Sequence, residues 1–518
     1  SSTLLNENRY IGIVTTGRIE QLINTDLRII GVLISLLVSC FTILNPGLPN
    51  DDAYSYIRIA EIALNEGINA SWQYYSWASY PLLIAFVGNL GTDLITAAHI
   101  VNAFFLSLLV YSYISIVSFL NASKSVSILA ATCILLFPTL NELRFDIIRD
   151  IAMWALSLFG LWHFLLFLES NRLQNFLVFC GSITLASLFR VEAIIYIFSL
   201  PIALLFDNRH QKQFRYQQLK KCTVIIVSVL ALMFLLFQTM GINLISVLLR
   251  FISVYEPFLN NFTSLNEDQN YSLSRGIFGE YAQTYSGPYL SLFVTAGLLA
   301  ILFVKLFQGI GGPFFWLLAY GAFKRTISLD RLKVIPIFIF LLTNLTIVFI
   351  FITITKFVST RYSMLFCLAL ILFIPLILDK IIERVQQTSL KILYNRVLIL
   401  FFGYCAFDSF ISFGSPKTYI NESLTWYQAE NHLHKRLITN NHAIAYFSGE
   451  IENYDKVARV ISEEEILDLE ANDLIFLETN YEALQIIGRE SVSPYINLQT
   501  AFPNRENMQI AVYRRVDP

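Results

Sequence analysis

Two adjacent carboxylates, Asp51 and Asp52, follow the first long apolar stretch of the chain by a few residues. That stretch covers residues 27–44 and is long enough to cross a hydrocarbon core, so both aspartates are expected where the chain leaves a bilayer. Carboxylates at that level are costly unless they meet water, a cation or a substrate. One aspartate is enough to cap the next helix, so the pair indicates chemistry, with either residue as a general base. The alternative is capping with compensation of the helix dipole.

Further charged residues are expected at the same membrane face, between later apolar stretches. Asp146, Arg149 and Asp150 lie between the third and fourth stretches, and the two aspartates, four residues apart, would share one face of a helix. Arg190 and Glu192 follow the fifth stretch. We interpret the convergence of these five residues on one membrane face as a substrate site. The alternative is that they form ion pairs that only neutralise helix ends.

Two cations, Lys356 and Arg361, lie between the ninth and tenth stretches. A guanidinium fixed at headgroup level suits a phosphate group, which it binds through two parallel hydrogen bonds. Interfacial snorkelling of long basic side chains is the alternative. Tyr54, two residues beyond Asp52, is added to the expected substrate contacts because of its position beside the acidic pair.

The chain that must position these residues is strongly apolar. Its 518 residues are 55% hydrophobic and 14% charged, with a mean hydropathy of +0.58, whereas soluble domains carry about 25% charged residues. We therefore predict an all-α polytopic membrane protein of about eleven transmembrane helices. The net charge of −2 gives no reason to expect nucleic acid as a partner. The predicted spans are 28–45, 92–119, 125–140, 150–168, 174–189, 193–206, 222–241, 288–323, 334–355, 362–378 and 397–413.

Three connecting segments rich in Lys and Arg fix the expected orientation. They lie near 209–221, 324–333 and 380–396, and the positive-inside rule places all of them in the cytoplasm. This requires residues 288–323 to cross once, as a helix broken or bent around Gly309, Gly311, Gly312 and Pro313. The N-terminus is then inside, and the acidic pair and the C-terminus are outside.

The last hundred residues are more polar and read as a small α/β domain outside the membrane. We divide the chain into a transmembrane catalytic domain, 1–413, and an extracytoplasmic domain, 414–518. Short apolar runs predict strands at Ala443–Phe447, Leu474–Leu477 and Ile510–Tyr513. Ser462 and Glu465 have the spacing of a capping box at a helix start.

No motif demands a cofactor. The six cysteines lie in or beside apolar segments without metal-ligand spacing, so they are expected to be small core residues. No P-loop or dinucleotide fingerprint is found. We expect no metal site and no required cofactor, although the clustered carboxylates leave room for a divalent cation.

At this point the chain resembles the polytopic glycosyltransferases of the GT-C fold. The resemblance rests on the acidic pair after the first span, on Arg144-Phe-Asp146 with Arg149-Asp150 before the fourth, and on Arg361-Tyr362 before a late span. The stretch 185–193, which contains Arg190 and Glu192, is similar to a recurring family segment. The span number and external C-terminal domain resemble the branch of protein O-mannosyltransferases and lipid A aminoarabinose transferases.

The resemblance implies transfer of a sugar from a polyprenyl-phosphate carrier to an acceptor hydroxyl at the outer membrane face, with inversion. The acceptor would be a glycan, a lipid or a protein. Asp51 would be the catalytic carboxylate beside Asp52, Asp146 or Asp150 would orient the acceptor, and Arg361 would hold the donor phosphate. The expected location is the bacterial inner membrane, with the site and the C-terminal domain facing the periplasm.

Two other functions are compatible with a polytopic chain. A transporter or lipid flippase predicts charges near the middle of spans, and only the broken 288–323 segment favours it. A glycan polymerase or ligase would place its main catalytic group in the large external loop 242–287 instead of at Asp51.

Overall fold

The computed structural model describes residues 26–45, 47–257, 267–327, 329–411, 417–429 and 436–517. In these ranges, 8 helices are long and apolar enough to cross a membrane. The protein is therefore a multi-pass membrane protein, as the sequence predicts, while the count of about eleven spans stays a prediction. The eight segments are Leu27–Leu44, Leu94–Leu120, Asp150–Ser170, Lys212–Thr239, Tyr271–Ile310, Arg331–Thr355, Thr360–Gln386 and Lys391–Phe410.

Two of these segments consist of consecutive helices. Tyr271–Ile310 belongs to the helices Glu267–Ser286 and Leu290–Ile310, joined by the 3₁₀ turn Gly287–Tyr289, and Thr360–Gln386 consists of Thr360–Ile371 and Ile374–Gln386. Shorter helices occupy the remaining predicted spans and the loops. They are Asp51–Asn65, Ile68–Tyr74, Ser79–Gly88, Lys124–Leu135, Pro138–Leu143, Leu173–Ser187, Ile195–Ser199, Leu244–Ser253 and Gly312–Phe323, with 3₁₀ helices at Val191–Ile194 and Leu200–Phe206.

The helices differ in how far they are buried, which separates the centre of the bundle from its periphery. Leu94–Leu120 and Asp150–Ser170 are each 72% buried over their most apolar window, whereas Lys212–Thr239 is 17% buried. Apolar side chains that remain exposed on such a helix are expected to face lipid. Tyr113 of the central helix donates its hydroxyl to the Ile371 carbonyl over 2.6 Å. Buried helices thus hold the rest of the bundle together.

The predicted break in residues 288–323 occurs at Gly311, whose φ of +80° ends one helix and begins the next. Phe307 and Phe315 lie 4.8 Å apart, and Phe303 and Phe315 lie 6.5 Å apart, between ring centroids. Twelve residues of straight helix would separate Phe303 and Phe315 by about 18 Å. The chain therefore bends sharply at Gly311 instead of continuing as one straight helix.

The C-terminal domain, here residues 417–429 and 436–517, is α/β as predicted. Its four-stranded sheet has the order β1-β2-β4-β3, with β1 parallel to β2 and the other pairs antiparallel. The strands are β1 Leu437–Thr439, β2 Leu474–Glu478, β3 Ile496–Pro503 and β4 Met508–Arg515. Its helices are Thr418–Ala429, His442–Ser448, Glu463–Leu467 and Tyr481–Ile487, with 3₁₀ turns at Tyr454–Lys456 and Ser493–Tyr495.

The strand predictions are partly confirmed. Strands β2 and β4 contain the two predicted segments, and Ser462 and Glu465 form the predicted capping box. The prediction of a strand at Ala443–Phe447 is wrong, because these residues belong to the helix His442–Ser448. The Asn441 side chain caps that helix by accepting from the Ile444 amide. The predicted domain boundary at 413/414 lies outside the described residues.

The C-terminal domain packs on the helix Asp51–Asn65, here named the surface helix, whose existence the sequence predicts. Tyr54 is 1% exposed, and its ring lies against His442 and Tyr446 of the domain. Tyr74 donates a 2.6 Å hydrogen bond to Asp455. The surface helix thus packs against both the transmembrane bundle and the C-terminal domain. These two contacts fix the position and orientation of the acidic pair at its start.

A close helix contact at Gly321 gives a test of this packing. A Cβ atom there would lie 2.4 Å from Ile377 Cδ1, so Gly321→Leu should overfill the contact and destabilise the protein by about 1–3 kcal/mol. Gly297→Leu is the control, since a Cβ there meets nothing within 4 Å. Thermal unfolding in detergent should show a lower Tm for the first variant only. Equal Tm values would contradict this packing of the bend region on the late helices.

Candidate active site

A polar cavity of about 580 Å³ opens at the start of the surface helix. It brings together Asp51 and Asp52, Asp146 from the loop before the helix Asp150–Ser170, and Arg361 from the start of the helix Thr360–Ile371. Gln308, close to the Gly311 bend, lies in the same wall. The full lining is Asn50, Asp51, Asp52, Thr139, Glu142, Leu143, Asp146, Gln308, Ser359, Thr360 and Arg361.

Asp52 and Arg361 form an ion pair across this cavity, through Nη1 of the guanidinium. The Asp52 side chain is 43% exposed and that of Arg361 24%, so the pair contributes only about 1 kcal/mol or less to stability. Arg361 also donates from Nη2 to the Tyr362 hydroxyl over 3.2 Å. Among the described residues, Asp51 forms no ion pair. The two adjacent aspartates therefore differ, one paired and one exposed to the cavity.

Asp146 is held in place through its backbone. The buried Asn102 donates to the Asp146 carbonyl over 2.9 Å and accepts from the Tyr80 hydroxyl over 2.8 Å. The Asn50 side chain binds both backbone groups of Ile147, the residue after Asp146. It accepts from the Ile147 amide over 2.8 Å and donates to the Ile147 carbonyl over 3.4 Å. These bonds tie the loop to the first residues of the surface helix. The sequence suggests Asn50 only as a cap of the surface helix, a bond that its side chain does not make, and it gives no signal for Asn102.

Arg144 anchors the same loop from the other side. Its side chain is buried and donates to Ser39 Oγ over 2.6 Å, to the Ser35 carbonyl over 3.2 Å and to Asn141 Oδ1. The first span and the loop of Asp146 are thereby joined. None of these contacts is an ion pair with Asp146, so the loop is held by neutral partners and the carboxylate stays available to the cavity.

Asp146 and Asp150 do not share one helix face, contrary to the prediction. The helix begins only at Asp150, because the preceding residues form turns whose bonds go to the asparagines. Asp150 is 2% exposed and accepts from Arg190 Nη1 over 2.7 Å, while Arg190 Nε donates to Glu192 over 2.6 Å. Asp150, Arg190 and Glu192 are thus brought together, separately from Asp146.

This second group lines an apolar cavity of about 230 Å³. Arg361 belongs to its wall and also to the wall of the polar cavity. The Tyr362 ring lies between two cations, with the guanidinium carbons of Arg190 and Arg361 at 4.7 and 5.1 Å from its centroid. The remaining lining is Met153, Val191, Ile195, Phe251, Tyr255, Ile347, Val348, Ile350, Phe351 and Ile354.

Asp51 also borders a third cavity, here named the domain cavity, of about 400 Å³. Its other wall is formed by the C-terminal domain. The lining is Asp51, Asn440, Asn441, His442, Val457, Arg459, Glu478, Thr479 and Asn480. The three cavities therefore follow one another, with Asp51 between the domain cavity and the polar cavity, and Arg361 between the polar and apolar cavities.

Three residues proposed from the sequence lie outside these linings. Tyr54 is buried between the surface helix and the C-terminal domain. Arg149 lies with its guanidinium carbon 5.8 Å from the centroid of the Tyr75 ring. Lys356 is exposed, and its ammonium donates to the Thr353 carbonyl. Their expected roles as substrate or phosphate contacts stay predictions.

In the described ranges, no group of three His, Cys, Asp or Glu residues is placed to hold a metal ion. Asp51, Glu142 and Asp146 all line the polar cavity, but their carboxylates are not placed together as a metal-binding group, so the divalent cation that the clustered carboxylates suggest stays a prediction. Five of the six cysteines are buried, as expected of small core residues, whereas Cys40 is exposed, contrary to that expectation.

Comparison with known proteins agrees with this architecture. Residues 79–237 match the family described as dolichyl-phosphate-mannose-protein mannosyltransferase. An oligosaccharyltransferase of Archaeoglobus fulgidus, crystallised with Zn and sulfate, superposes with a TM-score of 0.51 at 14% identity, covering 95% of this chain and 73% of that one. The fold is that of a GT-C glycosyltransferase. This confirms the fold expected from the acidic pair and the late Arg361-Tyr362 motif.

Other comparisons add less. The archaeal oligosaccharyltransferase AglB from Archaeoglobus fulgidus, in complex with an inhibitory peptide and a dolichol-phosphate, has a TM-score of 0.49 at 14% identity and covers 83% of this chain and 64% of that one. No curated protein sequence matches the chain. Together the family match and the shared fold indicate a glycosyltransferase-type enzyme of the GT-C class.

The pKa of Asp146 allows a test of its surroundings. Burial raises this pKa from 3.8 to about 6; Arg361 lowers it, and Glu142 and Asp52 raise it. The ionised carboxylate is therefore disfavoured by folding. The contribution of Asp146 to the free energy of unfolding falls as pH rises from about 4 to 6 and is level above. Asp146→Asn should be more stable than wild type at pH 8, by an amount on the order of 2 kcal/mol, with no difference below pH 4.

Tm measured in detergent across this pH range checks the prediction. Glu142→Gln, which removes an exposed carboxylate from the same cavity, is the matched control and should change Tm little. An Asp146→Asn variant with a constant Tm difference from wild type between pH 4 and 8 would contradict the burial of this group.

Proposed function

We propose that the protein transfers a sugar from a polyprenyl-phosphate carrier to an acceptor hydroxyl at the extracytoplasmic membrane face. The observation that carries the proposal is the position of Arg361, which lines both the apolar cavity and the carboxylate-rich polar cavity. A polyprenyl-phosphate sugar has an apolar chain, a phosphate and a sugar in that order. The apolar cavity, Arg361 and the polar cavity follow in the same order.

The donor's phosphate is the group that Arg361 would hold. A guanidinium binds a phosphate through parallel charge-assisted hydrogen bonds, and its positive charge stabilises the departing phosphate in the transition state. Binding requires Arg361 to exchange its present partner, Asp52, for the phosphate. The family that residues 79–237 match is named for a dolichyl-phosphate donor, which supports a carrier of this class.

Asp51 is the proposed general base. The sequence alone allows either Asp51 or Asp52 in this role. Asp51 is not neutralised by a cation among the described residues, and it borders two cavities. The acceptor oxygen bonds to the anomeric carbon, the bond from that carbon to the phosphate oxygen breaks, and the proton moves to Asp51. One displacement from the side opposite to the carrier inverts the anomeric carbon. Asp146 is proposed to orient the acceptor.

The orientation follows from the basic connecting segments and is part of the proposal. With those segments in the cytoplasm, the three cavities open at the opposite face, which is the periplasmic side if the membrane is a bacterial inner membrane. Glycan, lipid and protein hydroxyls all fit the chemistry of the base.

Replacement of the base is the first test. Asp51→Asn keeps the size of the side chain but removes its basicity, so transfer from a polyprenyl-phosphate sugar should fall by about 10²–10⁴-fold. Glu66→Gln, at the other end of the same surface helix, is the control and should transfer normally. The rate of sugar release from radiolabelled donor is the measurement. Wild-type turnover by purified, folded Asp51→Asn would refute the assignment.

Replacement of the phosphate ligand is the second test. Arg361→Ala should raise the donor KM by about tenfold or more, since a hydrogen-bonded ion pair with the phosphate is lost. Lys356→Ala provides the comparison, because Lys356 lies outside both cavity linings and its loss should change the donor KM less than twofold. An unchanged donor dependence in Arg361→Ala, or a larger effect in Lys356→Ala, would argue against phosphate binding at Arg361.

A further inference from the structure

The domain cavity lies at a position of the C-terminal sheet where ligands commonly bind. Strands β1 and β2 are parallel neighbours, and the cavity wall contains residues 440–442, which follow β1, and residues 478–480, at the end of β2 and beyond. In α/β sheets, ligands bind in the crevice outside the carboxyl ends of parallel strands. The topology of the small domain therefore favours a binding site there, independently of the transmembrane bundle.

The wall of this cavity is preorganised by side chains that bond to the backbone. Asn440 donates to the carbonyls of Arg459 and Glu478, at 3.1 and 3.0 Å. Asn441 donates to Glu478 Oε2 over 2.7 Å. The ring of His442 is fixed by a 2.8 Å hydrogen bond between Nδ1 and the Tyr454 carbonyl. A ligand would meet a rigid wall, so little conformational entropy is lost on binding.

A buried hydroxyl nearby has no partner among the described residues. Tyr54 is 1% exposed, its hydroxyl makes no hydrogen bond, and its ring stacks on His442 with 6.0 Å between centroids. A buried polar group without a partner costs about 1–3 kcal/mol. Tyr54 is not part of the cavity lining, so its ring lies behind the wall and supports His442 from that side.

We propose that the domain cavity binds the acceptor, and that the acceptor hydroxyl belongs to a saccharide. The inference rests on the proposed function, because it uses Asp51 as the base. Of the nine lining residues only Val457 is apolar, and carboxylate, amide, imidazole and guanidinium groups pair with the dense hydroxyls of a sugar. An acyl chain in this cavity would leave them desolvated and unpaired.

The cavity order gives the direction of approach. Asp51 borders the domain cavity, while Arg361 borders the apolar cavity on the far side of the polar cavity. An acceptor from the C-terminal domain and a carrier from the bundle therefore meet from opposite sides. This is the geometry that a single inverting displacement needs.

Bulky labelling of the cavity wall tests the proposal. Arg459 is exposed in the wall, and Arg505 is exposed on the turn between β3 and β4. Arg459→Cys and Arg505→Cys are made in a Cys40→Ser background and modified with biotin-maleimide. Each protein is supplied with a panel of polyprenyl-phosphate ³H-sugars, mannose among them. The donors are given either alone, to measure transfer to water, or with washed membranes of the source cell as acceptors.

The rate of transfer to membranes by labelled Arg459→Cys should fall at least tenfold, while its rate of transfer to water stays within twofold of wild type. Labelled Arg505→Cys should retain both activities. The radioactive product should resist proteinase K and remain after extraction of lipids. A Glu478→Gln variant, unlabelled, should require at least fivefold more membranes for half-maximal transfer, with the donor KM unchanged.

Normal transfer to membranes by labelled Arg459→Cys would contradict the acceptor site. Loss of transfer to both membranes and water would also contradict it, because the label would then act at the reaction centre. A product that is digested by proteinase K or extracted with lipids would overturn the saccharide class. Wild-type protein that neither transfers nor hydrolyses any of these donors would refute the proposed function itself. The two failures are thus distinguishable.

Discussion

The contact between Asp52 and Arg361 joins the two halves of the site. It connects the surface helix, which follows the first span, to the start of a helix 309 residues later in the chain. Because the pair is partly exposed, its role in stability is small, but it decides which aspartate is neutralised and which is not. It also places one guanidinium in the walls of both the polar and the apolar cavity.

The loop of Asp146 is rigid because Asn50 and Asn102 bond to its backbone, while the buried guanidinium of Arg144 is held by the uncharged partners Ser35, Ser39 and Asn141. Arg144, Asn50 and Asn102 hold the loop of Asp146 from three sides, so a half-buried carboxylate keeps its place although its pKa is raised. Such preorganisation is what a transfer reaction needs, since the donor and acceptor atoms must be positioned with a precision of a few tenths of an ångström. Burial in the polar cavity thus disfavours the ionised form of Asp146, and the same burial fixes the position of its carboxylate.

The sequence predicts the features that arise from local physics. Long apolar stretches, the surface helix after Asp51, the break at Gly311 and the capping box at Ser462 follow from hydropathy, capping and backbone preference. The acidic pair and Arg361 were found because charges at membrane ends are costly. Long-range partners leave no local signal: Asn102 pairs with a residue 44 positions away. The helix His442–Ser448 was not predicted because its short apolar run resembles a strand, while the deciding cap is the single side chain of Asn441.

The central claim is that Arg361 exchanges Asp52 for a lipid-linked phosphate at the boundary of two cavities. A cryo-EM map of the purified protein in nanodiscs with added polyprenyl phosphate tests it most directly. The account predicts density for the phosphate within hydrogen-bond distance of Arg361, an isoprenoid chain in the apolar cavity, and an Asp52 side chain that has left the guanidinium. A phosphate bound elsewhere, with the ion pair intact and the apolar cavity empty, would contradict it.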